Sequence, residues 1–130
     1  MIVDSSALLA VVLKEPDEER FARALLAAPS LRISAANWVE AAIVADGKHP
    51  AVAARFDDLA RFLGLDIVPV SASQAEGARR AWQAFGRGNH AARLNYGDCF
   101  AYALAREAGE PLLFKGGDFP QTDIEPALKD

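Results

Sequence analysis

Short apolar runs alternate along this chain with longer stretches whose apolar positions recur at helical spacing. Ile2-Val3 is a two-residue apolar start that ends on Asp4 and reads as the end of a buried strand. Residues 7–13 read as an apolar helix capped by Ser5 or Ser6, since a hydroxyl there accepts a free backbone N–H. Pro16 opens a second helix at its first turn, with Asp17, Glu18 and Glu19 near the positive end of its dipole. Phe21, Leu25 and Ala28 carry the apolar stripe until Pro29 stops it. Leu31, Arg32 and Ile33 alternate as a short strand, ended by Ser34.

Residues 35–45 read as the next helix, with Trp38, Ala41, Ala42 and Ala45 on one stripe, broken by Asp46-Gly47. Pro50 starts another that runs through Phe62, with Val52, Phe56, Leu59 and Leu63 as its apolar face and Gly64 as its stop. Residues 65–70 are a strand, and Ser71 or Ser73 caps a helix to Phe85. Residues 86–90 have the composition of a flexible loop. A helix over 97–108 closes at Gly109, a strand follows over 112–114, and a last short strand is expected near Ile124. This alternation predicts an α/β fold, with a parallel sheet covered on both faces. Ligands in such folds bind outside the carboxyl ends of the strands. Asp4, Asp98 and Asp118 all belong to that edge.

Composition narrows the class. With 52% hydrophobic and 25% charged residues in 130, the chain can bury one core, and residues 1–130 are expected to form a single domain. No run approaches the roughly 20 apolar residues of a membrane span, and the start lacks the pattern of a signal peptide. The single cysteine, Cys99, allows no intrachain disulfide, so the cytoplasm is the expected compartment. A net charge of −4 argues against a nucleic-acid enzyme, but its distribution argues the other way. No acid lies between Glu76 and Asp98, an interval that holds Arg79, Arg80, Arg87, His90 and Arg93. Glu15, Asp17, Glu18 and Glu19 crowd an early segment, so a basic and an acidic side are expected. Arg79 and Arg80 also fit the plainer role of solvating a helix face.

Four acids are candidates for chemistry. Glu40 stands alone among Val39, Ala41, Ala42, Ile43 and Val44, which leaves two readings: a carboxylate held by a metal or partner, or one on a solvent-facing helix edge. Asp98 serves a metal site or merely complements a helix N-terminus. Asp118 follows Gly116 and Gly117, which permit a tight turn and close approach by a ligand, or is an ordinary turn aspartate. With Asp4 these form a set of hard oxygen ligands suited to Mg²⁺ or Mn²⁺. Such a site orients a phosphodiester, and a carboxylate can accept the proton of an attacking water. One cysteine and two histidines cannot build a structural zinc site, and no dinucleotide or phosphate-loop fingerprint occurs.

Taken in order, these segments resemble a PIN domain, specifically the VapC-type toxins of bacterial toxin–antitoxin pairs. The resemblance rests on Ile2-Val3-Asp4-Ser5-Ser6-Ala7-Leu8, on Glu40, and above all on the stretch from Leu94 through Asp98 to Ala105. It closes with Leu112-Leu113-Phe114-Lys115-Gly116-Gly117-Asp118-Phe119 and Thr122-Asp123-Ile124. One departure is Gly117, where relatives often carry a further acid, so a second metal position is weakened or rests on Asp118.

The resemblance implies a three-layer α/β/α sandwich with a short, mainly parallel sheet, and Mg²⁺-dependent endoribonuclease activity. Asp4, Glu40, Asp98 and Asp118 would be the catalytic and metal-binding acids, and Ser6 a supporting residue. It also implies a homodimer and inhibition by a VapB-type antitoxin, whose arginine would pair with the clustered carboxylates. Arg87, His90, Arg93 and Lys115 are the candidates for RNA phosphate contacts, with ordinary surface charge as the alternative for each. Two other readings of the chain are a catalytically inert PIN-fold interaction module and a metal-dependent phosphatase. The absence of a second aspartate two positions after Asp4 counts against the phosphatase.

Overall fold

The computed structural model describes residues 1–129. Its elements run β1 (Ile2–Val3), α1 (Ser5–Val12), α2 (Glu18–Ala27), β2 (Arg32–Ser34), α3 (Ala35–Asp46), α4 (Pro50–Leu63), β3 (Asp66–Val68), α5 (Ala72–Phe85), α6 (Tyr96–Ala108) and β4 (Leu112–Leu113). The strands form one sheet in the order β3-β2-β1-β4, every pair parallel. Ile2 is in register with Arg32 on one side and Leu112 on the other.

Side chains alternate between the faces of so short a sheet, and that alternation builds two cores. Ile2 and Leu112 face one, packed with Ala78 and Ala81 of α5 and with Ala101, Leu104 and Ala105 of α6. Val3, Ile33 and Leu113 face the other, with Leu8, Phe21, Leu25, Ala41 and Phe56 from α1, α2, α3 and α4. The expected α/β/α sandwich is therefore present, with β1 at its centre. Among the described residues, no helix is long and apolar enough to cross a membrane.

Several boundaries depart from the periodicity for local reasons. Asp4, rather than Ser5 or Ser6, is the N-cap of α1, because its side chain accepts from the Ser6 N–H. Helix α2 begins at Glu18, capped at Asp17, so Pro16 belongs to the connection. β3 ends at Val68 because Pro69 has no N–H to donate to β2. No strand forms at Ile124, which is buried; the tail makes a single parallel bridge, Pro126 to Leu112.

The segment read as a loop is a loop, and its backbone is closed by hydrogen bonds. Leu94 donates to the Phe85 carbonyl and Arg87 to the Leu94 carbonyl, each at 2.9 Å, which closes residues 86–94 into a bridged loop. Asn89 and His90 both donate to Gly86, and the His90 ring meets Phe85 edge-on at 5.1 Å. Ala92 and Leu94 are fully buried, so this loop is pinned from below. Arg93, between them, takes a left-handed backbone with φ of 57°.

Candidate active site at the carboxyl edge of the sheet

The hydrogen bond from Asp4 N–H to the Leu113 carbonyl, 2.9 Å, fixes the exit of β1 against β4. The Asp4 side chain is almost wholly buried. Its Oδ2 accepts from Ser6 N–H at 3.0 Å and from Ser6 Oγ at 2.6 Å. Its Oδ1 is buried without a hydrogen-bond partner. Burial pushes the carboxyl up to about 6, against the lowering effect of the Ser6 bonds and with some help from the Glu40 charge. A buried, half-satisfied carboxylate is costly unless something compensates it.

Glu40 faces the same place from α3. Its Oε1 accepts from Ser5 Oγ at 2.5 Å and, at the limit of bonding, from Asn37 Nδ2 at 3.5 Å. Two of the neighbours that made it look stranded in an apolar helix are exposed, Val39 at 47% and Ile43 at 65%, while Ala41 is buried. Glu40 itself is half-buried, bonded to Ser5 and still partly open to solvent, so each of the two readings holds in part. Asn37, fully buried, donates to the Gly97 carbonyl at 2.9 Å and so ties α3 to the first turn of α6. Gly97 lies so close that a Cβ there would stand 2.8 Å from the Glu40 carboxyl carbon.

Asp98 is both a capping residue and a member of the acidic cavity. It forms a capping box with Asn95: Asn95 N–H donates to Asp98 Oδ2 at 3.0 Å, and Asp98 N–H to Asn95 Oδ1 at 2.9 Å. Burial is the main cause that lifts its carboxyl to about 7, with the charges of Asp4, Asp118 and Glu40 adding to it and the Asn95 bond opposing. Asp118 is exposed, after Gly116 (φ 116°) and Gly117 and before a short 3-10 turn at Phe119–Gln121.

All four acids line one open cavity of about 420 Å³, together with Ser5, Ser6, Asn95 and Lys115. A larger cleft of about 610 Å³ between α5 and α6 lies elsewhere, and its acids are engaged. Asp123 is bonded to Tyr102 and Arg106, and Glu107 accepts from Ser73. Cys99 is a packed thiol, pushed up to about 11 chiefly by burial.

The basic candidates divide. Arg87, His90 and Arg93 are exposed on the bridged loop, which leads directly into Asn95. Lys115 differs, since its Nζ is already bound to Glu15 and Asp17 at 3.0 Å each. Ser6, besides holding Asp4, accepts from the Lys115 backbone N–H at 2.9 Å. Reading the sequence alone missed Asn37, Ser5 and Asn95 as supports. The signal for two of them was present, because Asn37 and Asn95 each stand three residues before a candidate acid, the spacing that puts them on its helix face or in its cap.

The PIN domain family model matches residues 1–125. Ribonuclease VapC30 of Mycobacterium tuberculosis is 46% identical over 125 residues, 95% of either chain. Two solved structures share the fold. The sarcin-ricin-loop-cleaving toxin VapC20 of M. tuberculosis superposes with a TM-score of 0.74 at 21% identity, over 95% of both chains. A toxin–antitoxin complex from Klebsiella pneumoniae gives 0.70 at 20% identity, over 94% of this chain and 92% of that one. The chain thus belongs to the PIN-domain family, and within it to the VapC-type toxin ribonucleases.

Proposed function

We propose that Asp4, Glu40, Asp98 and Asp118 form the metal-dependent active site with which this toxin cuts RNA. The observation that carries the proposal is the buried Asp4 Oδ1, unpaired in a cavity shared with three other carboxylates. A hard cation resolves that arrangement, and the all-oxygen donor set suits Mg²⁺, with Mn²⁺ as a substitute. Among the described residues, no three acids are drawn together tightly enough to hold an ion outright. Mg²⁺ retains several waters and takes only one or two carboxylates directly. When bound, the cation supplies charge neutralisation at the phosphate and a lowered pKa for the attacking water.

The protein's own part follows from its contacts. Ser6 orients Asp4 through two hydrogen bonds to one oxygen, which leaves the other for the ion. Ser5 and Asn37 hold Glu40 in the same way. Asp98 spends Oδ2 on its cap and keeps Oδ1 for the site, where it would hold the cation or a water bound to it. Water oxygen would bond to phosphorus as the bridging P–O bond breaks, one water proton passing to a site carboxylate and the departing oxygen taking a proton from solvent to leave as a hydroxyl. Arg87, His90 and Arg93 hold RNA phosphates beside the cavity, on a loop whose backbone is closed by its own hydrogen bonds.

The activity is held in check by a VapB-type antitoxin, a segment of which covers the cavity with an arginine on the carboxylates. The toxin works in the cytoplasm as a homodimer, for which exposed Val39, Ile43, Trp82 and Tyr96 offer apolar surface. Incubation of total RNA with purified protein, in Mg²⁺ and then EDTA, tests the proposal beside Asp4→Asn. Discrete fragments that need metal and vanish in the variant are expected. Equal cleavage by Asp4→Asn, with contaminating nuclease excluded, would overturn it.

A further inference from the structure

Lys115 is the residue whose placement differs most from its expected role, and its surroundings are built rather than incidental. Helix α1 ends in a Schellman motif: Lys14 N–H donates to the Val11 carbonyl at 3.1 Å and Glu15 N–H to the Ala10 carbonyl at 2.9 Å. Lys14 occupies the left-handed position, φ 54°, that glycine normally takes there. Glu18 N–H returns to the Glu15 carbonyl at 2.9 Å. These bonds set Glu15 and Asp17 side by side, and both accept from Lys115 Nζ. The pairing holds Asp17 below the ordinary carboxylate range, through its bond to Lys115, and Lys115 above the ordinary lysine range, through its bonds to Asp17 and Glu15.

The other end of the same residue reaches the catalytic acids. Lys115 N–H donates to Ser6 Oγ, and Ser6 Oγ donates to Asp4 Oδ2. Immediately after Lys115 come two glycines and then Asp118. A Gly-Gly segment has little conformational preference of its own, so the position of Asp118 depends on what anchors its ends. Phe119, buried in the core, anchors the far end. Lys115 anchors the near one.

We propose that Lys115 is a positioning residue for the metal site: clasped by Glu15 and Asp17, it fixes the entry of the Gly116-Gly117-Asp118 segment and, through Ser6, the orientation of Asp4. The inference rests on the active-site reading above and adds to it the α1–α2 connection, which contributes no ligand. It also explains why acids crowd that early segment, since two of them neutralise a lysine that would otherwise stand beside the metal.

The test separates a clasp from a phosphate contact by changing both of its sides. Lys115→Met and the double variant Glu15→Gln/Asp17→Asn are compared with wild type by Mn²⁺ titration calorimetry and RNA cleavage at several salt concentrations. Supports of this kind are worth about 10- to 100-fold in metal affinity or activity. Both variants should weaken Mn²⁺ binding and lower kcat by a factor in that range, with KM and its salt dependence unchanged. Lys115→Arg, which can still meet both acids, should restore most of the loss. If instead Lys115→Met raises KM and flattens the salt dependence while the double variant cleaves as well as wild type, Lys115 is an RNA contact and the clasp falls. Unchanged Mn²⁺ affinity in both variants overturns it too. Wild type that neither binds Mn²⁺ nor cleaves would remove the active-site reading itself, a result distinct from failure of the clasp alone.

Discussion

Gly97 lies directly against the carboxylate of Glu40, with room for a hydrogen but not for a methyl group. The two residues come from different helices, and Asn37, bonded to the Gly97 carbonyl, holds the backbone at that separation. Gly97→Ala therefore opposes two effects. Alanine favours a helix by about 1 kcal/mol over glycine, but its Cβ must push Glu40 away from Ser5. Since a displacement of about 1 Å can cost on the order of 100-fold in rate, cleavage should fall by roughly that factor while the melting temperature changes little. Steady-state cleavage alongside thermal melting checks both halves, and full activity would mean Glu40 has no fixed role.

The raised carboxyl of Asp98 makes a statement about stability. It titrates near 3.8 when unfolded and about 7 when folded, so the metal-free protein takes up a proton on folding between those values. The stability this group contributes is full below its unfolded pKa and is lost as pH rises through the folded one. The rise from 3.8 to about 7 corresponds to on the order of 4 kcal/mol undamped. Solvent screening at this partly exposed group reduces it, so Asp98→Asn should raise the stability of metal-free protein at pH 8 by about 1 to 2 kcal/mol, with little effect at pH 4. Denaturant titrations in EDTA at the two pH values would show it. The same variant should abolish cleavage.

Gly117 has open space where a side chain would stand and no left-handed backbone to relieve. Gly117→Asp should fold normally and bring a further carboxylate to the Asp118 segment. Mn²⁺ affinity measured by calorimetry should rise. A fall would mean that the segment is kept neutral for a reason, such as room for RNA.

Arg93, proposed above as a phosphate contact, has a left-handed backbone. Arg93→Gly removes the charge and also relieves about 1 to 2 kcal/mol of backbone strain, offset by about 0.5 to 1 kcal/mol of glycine's extra unfolded entropy. Stability should hold or rise slightly, while RNA binding weakens and its salt slope drops by about 1. Filter binding across a salt series with an Asp98→Asn background decides it. An unchanged slope takes Arg93 off the binding surface.

Much of this molecule is legible in its sequence because the signals are local. Ser34 and Ser71 cap helices, and Gly64 and Gly109 end them in left-handed turns, as short-range chemistry demands. Ile2, Val3, Leu112 and Leu113 announce buried strands by being apolar without alternation. The carboxyl-edge rule then brings Asp4, Asp98 and Asp118 to one side of the sheet, where they share a cavity. Residues 86–90 form the loop that glycine, asparagine and histidine signal, but composition does not foresee the bridge that closes it, which depends on Ala92 and Leu94 finding a core.

What the sequence determined by itself was the order of the helices and the four strands, most of the helix ends and the candidate acids, all properties set within a few residues along the chain. Which way each acid points was decided only in three dimensions. Glu40 is half-buried and bonded to Ser5 and Asn37, and no periodicity rule foresees a helix whose valine and isoleucine are more exposed than its acid. Lys115 looked like a free cation until folding brought it to Glu15 and Asp17, about a hundred residues earlier in the chain. Charge pairing, burial and the shortage of partners for Asp4 Oδ1 arise from contacts between distant segments, so their energetics exist only once the sheet has assembled.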